Sequence, residues 1–204
     1  MRKLFVAGAT GVTGRAVVKL ANGVDLVAHM RPKQGRSGAG VFELSDANAL
    51  AAAMRDRTTV LQLIGTMRKR FAAGDTYESS DIGTTQQLVD AAKRAGTVDH
   101  FLLLGSVGAS SPVGAYLKAK AEAERIVRES GIPYTIFRPS SLIGEDRKPP
   151  PGMVGFTKLF HMHKYRPITV EQVAGAMLRV ARERSHLGEV LEGKSLWEVV
   201  DAGA

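Results

Sequence analysis

The stretch Leu4-Phe5-Val6-Ala7-Gly8-Ala9-Thr10-Gly11-Val12-Thr13-Gly14 decides the fold, because a short apolar run meets three glycines spaced three residues apart. A helical pattern follows, so the stretch predicts a strand, a tight turn and a helix start. Gly8 lets the chain turn off the strand, Gly11 lets the backbone approach a pyrophosphate, and Gly14 lets the helix pack on the strand. The N–H groups of such a helix start attract anions. The predicted dinucleotide contacts are Gly8, Thr10, Gly11, Val12, Thr13 and Gly14; the alternative is a purely structural turn.

Length and composition predict one domain. The chain has 204 residues, of which 44% are hydrophobic, which is enough for one core of ordinary size and too little for two. We expect a single domain over 1–204, in which 144–204 form a small substrate-side region. The absence of cysteine excludes a disulfide framework, a thiolate nucleophile and a cysteine-ligated metal. His161 and His163 have no third ligand near them in the sequence, so we expect no metal site.

The amino-terminal run does not resemble a targeting segment. After Met1-Arg2-Lys3, glycine and threonine interrupt the apolar residues before the core of a signal peptide could form. No stretch is long and apolar enough to span a bilayer. These features predict a cytoplasmic protein with no membrane partner.

A formal net charge of +8 raises the question of a phosphate-bearing partner. The basic residues form short clusters at 31–36, 68–70 and 118–120, without the interleaved aromatic residues typical of single-stranded nucleic-acid surfaces. A solvated basic surface is therefore favoured over a nucleic-acid partner. A third interpretation is that the first cluster serves a phosphorylated cofactor.

The second predicted strand ends beside an arginine. Asp25-Leu26-Val27-Ala28-His29-Met30 follows the glycine turn at the separation of one βαβ unit, which predicts a parallel sheet. At this point NAD sites usually carry an acidic residue for the ribose 2′-hydroxyl, whereas NADP sites carry an arginine for the 2′-phosphate. The residue is Arg31, and no carboxylate is near it on the strand. We predict NADP(H) as the preferred cofactor and keep NAD(H) open; the alternative is an arginine that merely faces water.

Strand and helix patterns alternate along the rest of the chain. Further strands are predicted at 41–44, 59–64 and 100–104, with 134–138 as the last. Helices are predicted at about 46–54 with Asp46 as N-cap, 77–95, 116–131, 170–182 and 195–200, and loops at 67–74 and 145–151. The fold class is therefore α/β, a doubly wound and mostly parallel Rossmann sheet with a small C-terminal substrate-side appendage.

Three polar residues stand where such a sheet places its chemistry. Ser106 follows the strand 100–104 at its carboxyl end, where ligands bind in open parallel sheets, although a turn serine would satisfy the same pattern. Tyr116 and Lys120 are four residues apart at the start of a helix, so they share one face. A cation beside a phenol favours the phenolate, which would let the tyrosine accept and donate a proton. The alternative is a surface tyrosine beside a surface lysine.

These residues together resemble the short-chain dehydrogenase/reductase superfamily, in its atypical or extended branch. The glycine turn has the form of that branch, and the resemblance extends over almost the whole chain. Within the branch the chain looks most like the small NAD(P)H-binding, NmrA-like oxidoreductases related to the Tat-interacting protein reductase. The segments that carry this likeness are Leu63-Ile64-Gly65-Thr66, Tyr116-Leu117-Lys118-Ala119-Lys120 and Phe137-Arg138-Pro139.

The resemblance implies a Ser-Tyr-Lys catalytic set. Tyr116 would transfer the proton, Lys120 would favour the ionised form of that tyrosine and hold the nicotinamide ribose, and Ser106 would position the substrate oxygen. The resemblance also implies cofactor contacts at Glu43, Leu44, Ile64, Gly65, Tyr116, Lys120 and Pro139. The family often has an aspartate before the aliphatic residue that contacts adenine, whereas this chain has a glutamate there.

The combined interpretation is an NADP(H)-dependent oxidoreductase that transfers hydride to or from a small carbonyl or alcohol substrate. A second hypothesis is a redox-sensing regulator or scaffold that binds NADP(H) with little turnover. Such relatives commonly lack the tyrosine-lysine pair, which this chain retains. The substrate stays open, because 144–167 contain no motif that translates into chemistry. The reaction direction also stays open, as does the choice between monomer and homodimer, because periodicity does not distinguish exposed helices from paired ones.

Overall fold

The computed structural model describes residues 2–65, 71, 74–144 and 163–203. The strands of this part of the chain are β1 Lys3–Ala7, β2 Asp25–Ala28, β3 Thr59–Gln62, β4 His100–Leu104, β5 Tyr134–Arg138, β6 Leu142–Ile143, β7 Ile168–Thr169 and β8 Glu189–Glu192. Its α-helices are α1 Val12–Leu20, α2 Ala47–Met54, α3 Thr84–Ala95, α4 Gly114–Glu129, α5 Val170–Glu183 and α6 Lys194–Asp201. A π-helical turn, Glu78–Gly83, precedes α3, and a 3-10 turn, His163–Tyr165, precedes β7.

The main sheet has six strands in the order β2-β1-β3-β4-β5-β8, and every neighbouring pair is parallel. From β1 the chain crosses first to β2 on one side and then to β3 on the other, so the winding direction reverses there. Strands β6 and β7 pair separately as a small parallel ribbon. The predicted α/β fold with a doubly wound parallel sheet is confirmed. A reversal of this kind opens a crevice at the carboxyl ends of β1 and β3, where ligands bind.

The central strands β1, β3, β4 and β5 are buried on both faces, which explains their apolar runs, whereas the edge strands β2 and β8 are partly exposed. In β1, Leu4 and Val6 belong to a core cluster shared with α1, α5 and α6, whereas Phe5 and Ala7 belong to a second cluster shared with α2, α3 and α4. All five residues of β4 are buried. Alternate side chains therefore point into opposite layers, and neither face tolerates a polar residue without a partner.

Local signals position the helices as expected in most places. The Asp46 carboxylate accepts hydrogen bonds from the backbone N–H groups of Asn48 and Ala49, which confirms the predicted N-cap of α2. Gly96 ends α3 in the left-handed conformation, with φ of 68°. The helix predicted over 77–95 is interrupted, because Glu78–Gly83 winds as a π-helical turn before α3 begins.

Two strand predictions are wrong. Segment 41–44 makes only an isolated bridge, from Val41 to Met30, because the chain already turns at Glu43 to start α2. Segment 134–138 is not the last strand, since β8 pairs with β5 at the edge of the sheet. Glutamates occupy both ends of β8, so its short Val190-Leu191 centre gives little apolar signal.

The C-terminal residues 163–203 contribute directly to the core. Helix α5 begins with a capping box between Thr169 and Gln172 and packs against α1. Trp197 of α6 is 4% exposed, which confirms its predicted role in core packing, and the Arg166 guanidinium lies 3.5 Å from its ring centroid. Within the residues that the structure describes, no helix combines the length and apolar character needed to cross a bilayer.

Strand β4 begins with a histidine that the fold buries completely. His100 is 0% exposed, and its Nε2 lies 2.8 Å from Thr135 Oγ1. The Thr135 hydroxyl donates to the carbonyl of His186, so Nε2 of His100 is the donor in the first bond. Burial, helped by the charge of Arg2, lowers the pKa of His100 from 6.5 to about 4. The imidazole is therefore neutral in the fold at neutral pH.

His100 is expected to make folding sensitive to acid. The unfolded chain takes up a proton on this imidazole near its usual pKa of 6.5, while the folded chain resists until about 4. The contribution of His100 to stability is therefore fully present above the higher pKa. It is lost as the pH falls towards the lower pKa, and the total loss is roughly 3 kcal/mol. Urea unfolding measures the free energy of unfolding of wild type and of His100→Gln. The difference between the two values, wild type minus variant, should be about 2 kcal/mol smaller at about pH 5 than at about pH 7.5. A difference independent of pH would mean that the imidazole is not held neutral.

Candidate functional site

The predicted cofactor residues converge at the carboxyl edge of the parallel sheet. A cavity of about 650 Å³ opens there. Among the predicted contacts, its lining includes Gly8, Thr10, Gly11, Arg31, Glu43, Leu44, Ile64 and Gly65. Val12, Thr13 and Gly14 continue from the turn into α1. The fold thus brings segments that follow β1, β2 and β3 to one cavity.

The turn after β1 packs too closely for side chains at its first and third glycines. Gly8 has φ of 88°, and a Cβ there would lie 3.0 Å from the backbone of Leu63 and Ile64. At Gly14 a Cβ would lie 2.1 Å from the carbonyl oxygen of Gly8. Gly11 closes the turn by donating its N–H to that same oxygen at 2.9 Å. The glycine roles derived from the sequence therefore match the packing at both tight positions.

The start of α1 suits an anionic group. Gly11 is the N-cap residue, and it has no side chain to accept hydrogen bonds from the first helical N–H groups. Those N–H groups and the positive end of the helix dipole favour a negative charge. Because Gly11 also lines the cavity, a pyrophosphate could approach the backbone there. The residues present fit a pyridine dinucleotide, with its pyrophosphate at this helix start.

Charged side chains surround the far end of the cavity, beyond β2. Arg31, Lys33 and Arg36 line it together with the carboxylates of Glu43 and Asp75. Nη1 of Arg31 lies 3.0 Å from Oδ1 of Asp75, and the two side chains are 50% and 11% exposed. The sequence shows no carboxylate near Arg31 on its strand, but the tertiary fold supplies one from a distant segment.

A neutral histidine lies between this cationic cluster and the core. His29 is 2% exposed, and its Nε2 lies 2.9 Å from the carbonyl oxygen of Phe42. Burial lowers the pKa of His29, because it disfavours the charged imidazolium. His29 also lines the cavity. The imidazole therefore adds a hydrogen-bonding surface to the site without adding positive charge.

Tyr116 and Lys120 lie on one face of α4, as their spacing predicts. Tyr116 is 39% exposed, and Nζ of Lys120 lies 6.0 Å from the centroid of its ring. Lys120 itself is buried, and Nζ donates to the carbonyl oxygen of Leu104 at 3.4 Å. The phenol is thus open to a ligand, while the lysine approaches it from inside the protein.

The π-helical turn supplies a carboxylate that the sequence interpretation missed. Asp81 is 1% exposed, and its Oδ1 lies 2.9 Å from Nζ of Lys120. The two residues form a buried ion pair beside Tyr116. In the sequence, the one sign that the helix predicted over 77–95 is irregular is Gly83, which ends the π-helical turn. An irregular helix segment next to a predicted ligand edge is the signal that could have found Asp81.

Gly65 connects the cavity with this ion pair. It lines the cavity, and a Cβ built on it would lie 2.9 Å from Nζ of Lys120 and 3.3 Å from Oδ1 of Asp81. The lysine therefore sits directly behind the backbone of Gly65. An alanine at this position would press on the ammonium group, so the glycine makes the close approach feasible.

The other predicted residues lie in the loops that follow β4 and β5. Ser106 is half-buried, and its hydroxyl donates to the carbonyl of Val107 at 3.3 Å. The N–H of Val107 donates to the carbonyl of Pro139 at 3.0 Å, which ties the two loops side by side. Ser106 and Pro139 therefore share one part of the sheet edge.

Aromatic rings extend from Tyr116 along the same surface. The ring centroid of Tyr77 lies 5.7 Å from that of Tyr116, and the ring of Phe71 lies 4.9 Å from that of Tyr77. Phe71 is 40% exposed. These contacts fix the orientation of the Tyr116 ring while leaving it accessible.

Several sequence-based interpretations fall outside the described residues. They concern the basic cluster 68–70, most of the loop 67–74, the proline-rich loop 145–151 and His161. His163 is described, and the described part of the chain contains no group of three or more histidine, aspartate or glutamate residues arranged to hold a metal ion.

Comparison with known proteins supports the nucleotide interpretation. Residues 8–184 match a family model described as NAD(P)H-binding. An uncharacterized chloroplastic protein of Arabidopsis thaliana is 32% identical over 182 residues, which cover 75% of this chain and 62% of that protein. The mitochondrial NADH dehydrogenase [ubiquinone] 1 alpha subcomplex subunit 9 of the same plant is 29% identical over 92% of this chain and 52% of its own length. This chain thus spans less than two thirds of either relative.

Solved structures share the fold. A short-chain dehydrogenase/reductase superfamily protein from Agrobacterium tumefaciens, with bound NAD, superposes with a TM-score of 0.69 at 17% identity. The match covers 98% of this chain and 81% of that one. At this identity the similarity shows the fold alone.

Proposed function

Since this chain belongs to the NAD(P)H-binding family, we propose that it is an NADP(H)-dependent oxidoreductase that transfers hydride to or from a small carbonyl or alcohol substrate. The observation that carries the proposal is the position of Gly65, which lines the dinucleotide cavity while Lys120 lies directly behind it. Lys120 links this cavity to an exposed phenol on the same face of α4, since its Nζ lies 6.0 Å from the centroid of the Tyr116 ring, and this supports Tyr116 as the proton donor. In this proposal, a cofactor bound in the cavity and the Tyr116 hydroxyl would serve one substrate.

Different parts of the cavity would hold different parts of the cofactor. The glycine turn and the start of α1 would bind the pyrophosphate through backbone N–H groups. Arg31 would bind the 2′-phosphate with its guanidinium fork, and Glu43 and Leu44 would lie beside the adenosine. Bound NADPH would supply the hydride, which is the part of the chemistry that the protein itself lacks.

The chain's own residues would move the proton and hold the substrate. Tyr116 would give its hydroxyl proton to the carbonyl oxygen during reduction and accept it back during oxidation. Lys120, held by Asp81, would keep a positive charge near the phenol and reach towards the nicotinamide ribose. Ser106, at the carboxyl end of β4, would donate a hydrogen bond to the substrate oxygen.

Calorimetric titration with NADPH and NADH tests the cofactor part of the proposal. Arg31→Ala should weaken NADPH binding by about 10- to 100-fold, because a charge-assisted contact to the phosphate is lost. NADH, which has no 2′-phosphate, should change by less than about threefold. Lys93→Ala, which removes an exposed positive charge on α3, is the matched control.

Turnover separates the two functional hypotheses. NADPH oxidation in the presence of a panel of small aldehydes and ketones should be measurable above the rate without a carbonyl. Tight NADPH binding without turnover on any carbonyl would favour the redox-sensing regulator instead. Failure of both dinucleotides to bind would contradict the cofactor site itself.

A further inference from the structure

The Arg31–Asp75 ion pair lies where the cofactor's distinguishing phosphate would bind. Both residues line the cavity, and Nη1 of Arg31 lies 3.0 Å from Oδ1 of Asp75. Asp75 precedes the π-helical turn and is separated from Arg31 by 44 positions in the sequence. The carboxylate that pairs with Arg31 therefore comes from the segment that leads into the π-helical turn, and not from β2.

The two side chains are not equally fixed. Asp75 has 11% of its side chain exposed, whereas half of the Arg31 side chain is exposed. A long, half-exposed arginine can change its rotamer at modest cost, while a mostly buried aspartate is held by the surrounding packing. The carboxylate is thus the stationary member of the pair, and the guanidinium is the one that an incoming ligand could draw away.

A phosphate and a ribose hydroxyl make opposite demands on these groups. A phosphomonoester carries up to two negative charges, so it competes with Asp75 for the guanidinium and is repelled by the carboxylate. A 2′-hydroxyl instead needs a hydrogen-bond acceptor, which is the role of the acidic residue in NAD sites. One end of the cavity therefore offers a cation for NADP(H) and a carboxylate for NAD(H).

We propose that Asp75 is a specificity-determining residue for the cofactor, because it holds Arg31 when no 2′-phosphate is present and lowers the preference of the site for NADP(H). This inference rests on the proposed function, in which the cavity binds a pyridine dinucleotide. It assigns the balance between the two cofactors to a residue outside the strand that usually sets it. Arg31 favours NADP(H), and Asp75 opposes that preference.

Titration of wild type and Asp75→Asn with NADPH and NADH tests the inference. Asparagine keeps the shape of the side chain but removes its charge, so NADPH should bind about tenfold more tightly and NADH no more tightly than to wild type. Glu122→Gln, which removes one negative charge from the exposed face of α4, controls for the change in net charge. That control should change each affinity by less than about twofold.

The same titrations in an Arg31→Ala background test whether Asp75 acts through Arg31. If Asp75 acts by competing for the guanidinium, the gain caused by Asp75→Asn should shrink to less than about a third there. If Asp75→Asn tightened NADPH binding as much without Arg31 as with it, the proposed competition for the guanidinium would be overturned. Asp75→Ser, with thermal unfolding followed without nucleotide, provides a second variant in case the first folds poorly.

The possible failures are distinct. If wild type binds both dinucleotides and Asp75→Asn alters the ratio of their affinities by less than about threefold, the inference is overturned while the proposed function stands. If wild type binds neither dinucleotide, the proposed function fails, and the inference fails with it.

Discussion

Replacing Tyr116 with phenylalanine is expected to lower kcat/KM for carbonyl reduction by about 10²- to 10⁴-fold, the usual contribution of a positioned acid–base group. Phenylalanine keeps the ring that lies 5.7 Å from the ring of Tyr77, so the surface beside the cavity should keep its shape. Only the hydroxyl that carries the proton is lost. NADPH affinity should therefore stay within about threefold of wild type, which calorimetry can check alongside the steady-state rates.

Tyr134→Phe is the matched control for this loss. Tyr134 begins β5, so it lies at the amino edge of the sheet, away from the cavity, with its ring near Arg128. Its replacement should leave both kcat and KM unchanged. If Tyr116→Phe retained most of its turnover, another group would have to carry the proton, and the role assigned to Tyr116 would be wrong.

Replacing Asp81 with alanine is expected to lower the free energy of unfolding by about 3–5 kcal/mol, because it leaves the buried Lys120 ammonium without this carboxylate. The side chains of Lys120 and Asp81 are only 9% and 1% exposed, so water cannot take over the role of the carboxylate. Urea unfolding monitored by circular dichroism measures the change. The sole tryptophan, Trp197, provides a second fluorescence probe in a separate part of the core.

An exposed pair provides the comparison. Lys194 and Glu198 on α6 are 81% and 65% exposed, so Glu198→Ala should cause little change in stability. The double variant Asp81→Leu with Lys120→Met should be more stable than Asp81→Ala, because it also removes the buried ammonium that the single substitution leaves without this carboxylate. Equal effects of Asp81→Ala and Glu198→Ala would contradict a buried ion pair.

The recovered stability of the double variant should not restore turnover. The proposed function needs the Lys120 ammonium next to Tyr116, and methionine supplies no charge there. Stability and activity would then separate, which a purely structural ion pair would not produce. A double variant as active as wild type would show that Lys120 has only a structural role.

Strands that are buried on both faces were predictable from the sequence, because such a strand needs apolar residues at consecutive positions. The centres of β1, β3 and β4 are near-continuous apolar runs, and only strands covered by helices on both sides need such runs. Strand β8 is a partly exposed edge strand in which only Val190 and Leu191 are apolar, and that run is too short to stand out. Segment 41–44 has suitable residues, but a turn at Glu43 removes it from the sheet. For both β8 and segment 41–44, backbone pairing with a neighbouring strand decided whether the segment belongs to the sheet.

Motifs whose residues lie within a few positions of one another in the sequence were also predictable. The glycine turn depends on clashes between near neighbours, as the position of Gly14 against the Gly8 carbonyl shows. Tyr116 and Lys120 share a face because helical geometry alone brings them together. The convergence of the segments after β1, β2 and β3 at one edge follows from parallel strands, which place all their carboxyl ends on the same side.

The sequence by itself thus determined the parallel α/β fold, the glycine turn and the cations and phenol available to the site. Only the tertiary structure decided which carboxylates meet those cations, since Asp75 faces Arg31 and Asp81 faces Lys120 across long separations in the chain. The physical reason is that steric and helical constraints act between near neighbours, whereas charge pairing depends on distance in space. For Asp81 and Lys120, that distance is set by how the π-helical turn packs against α4.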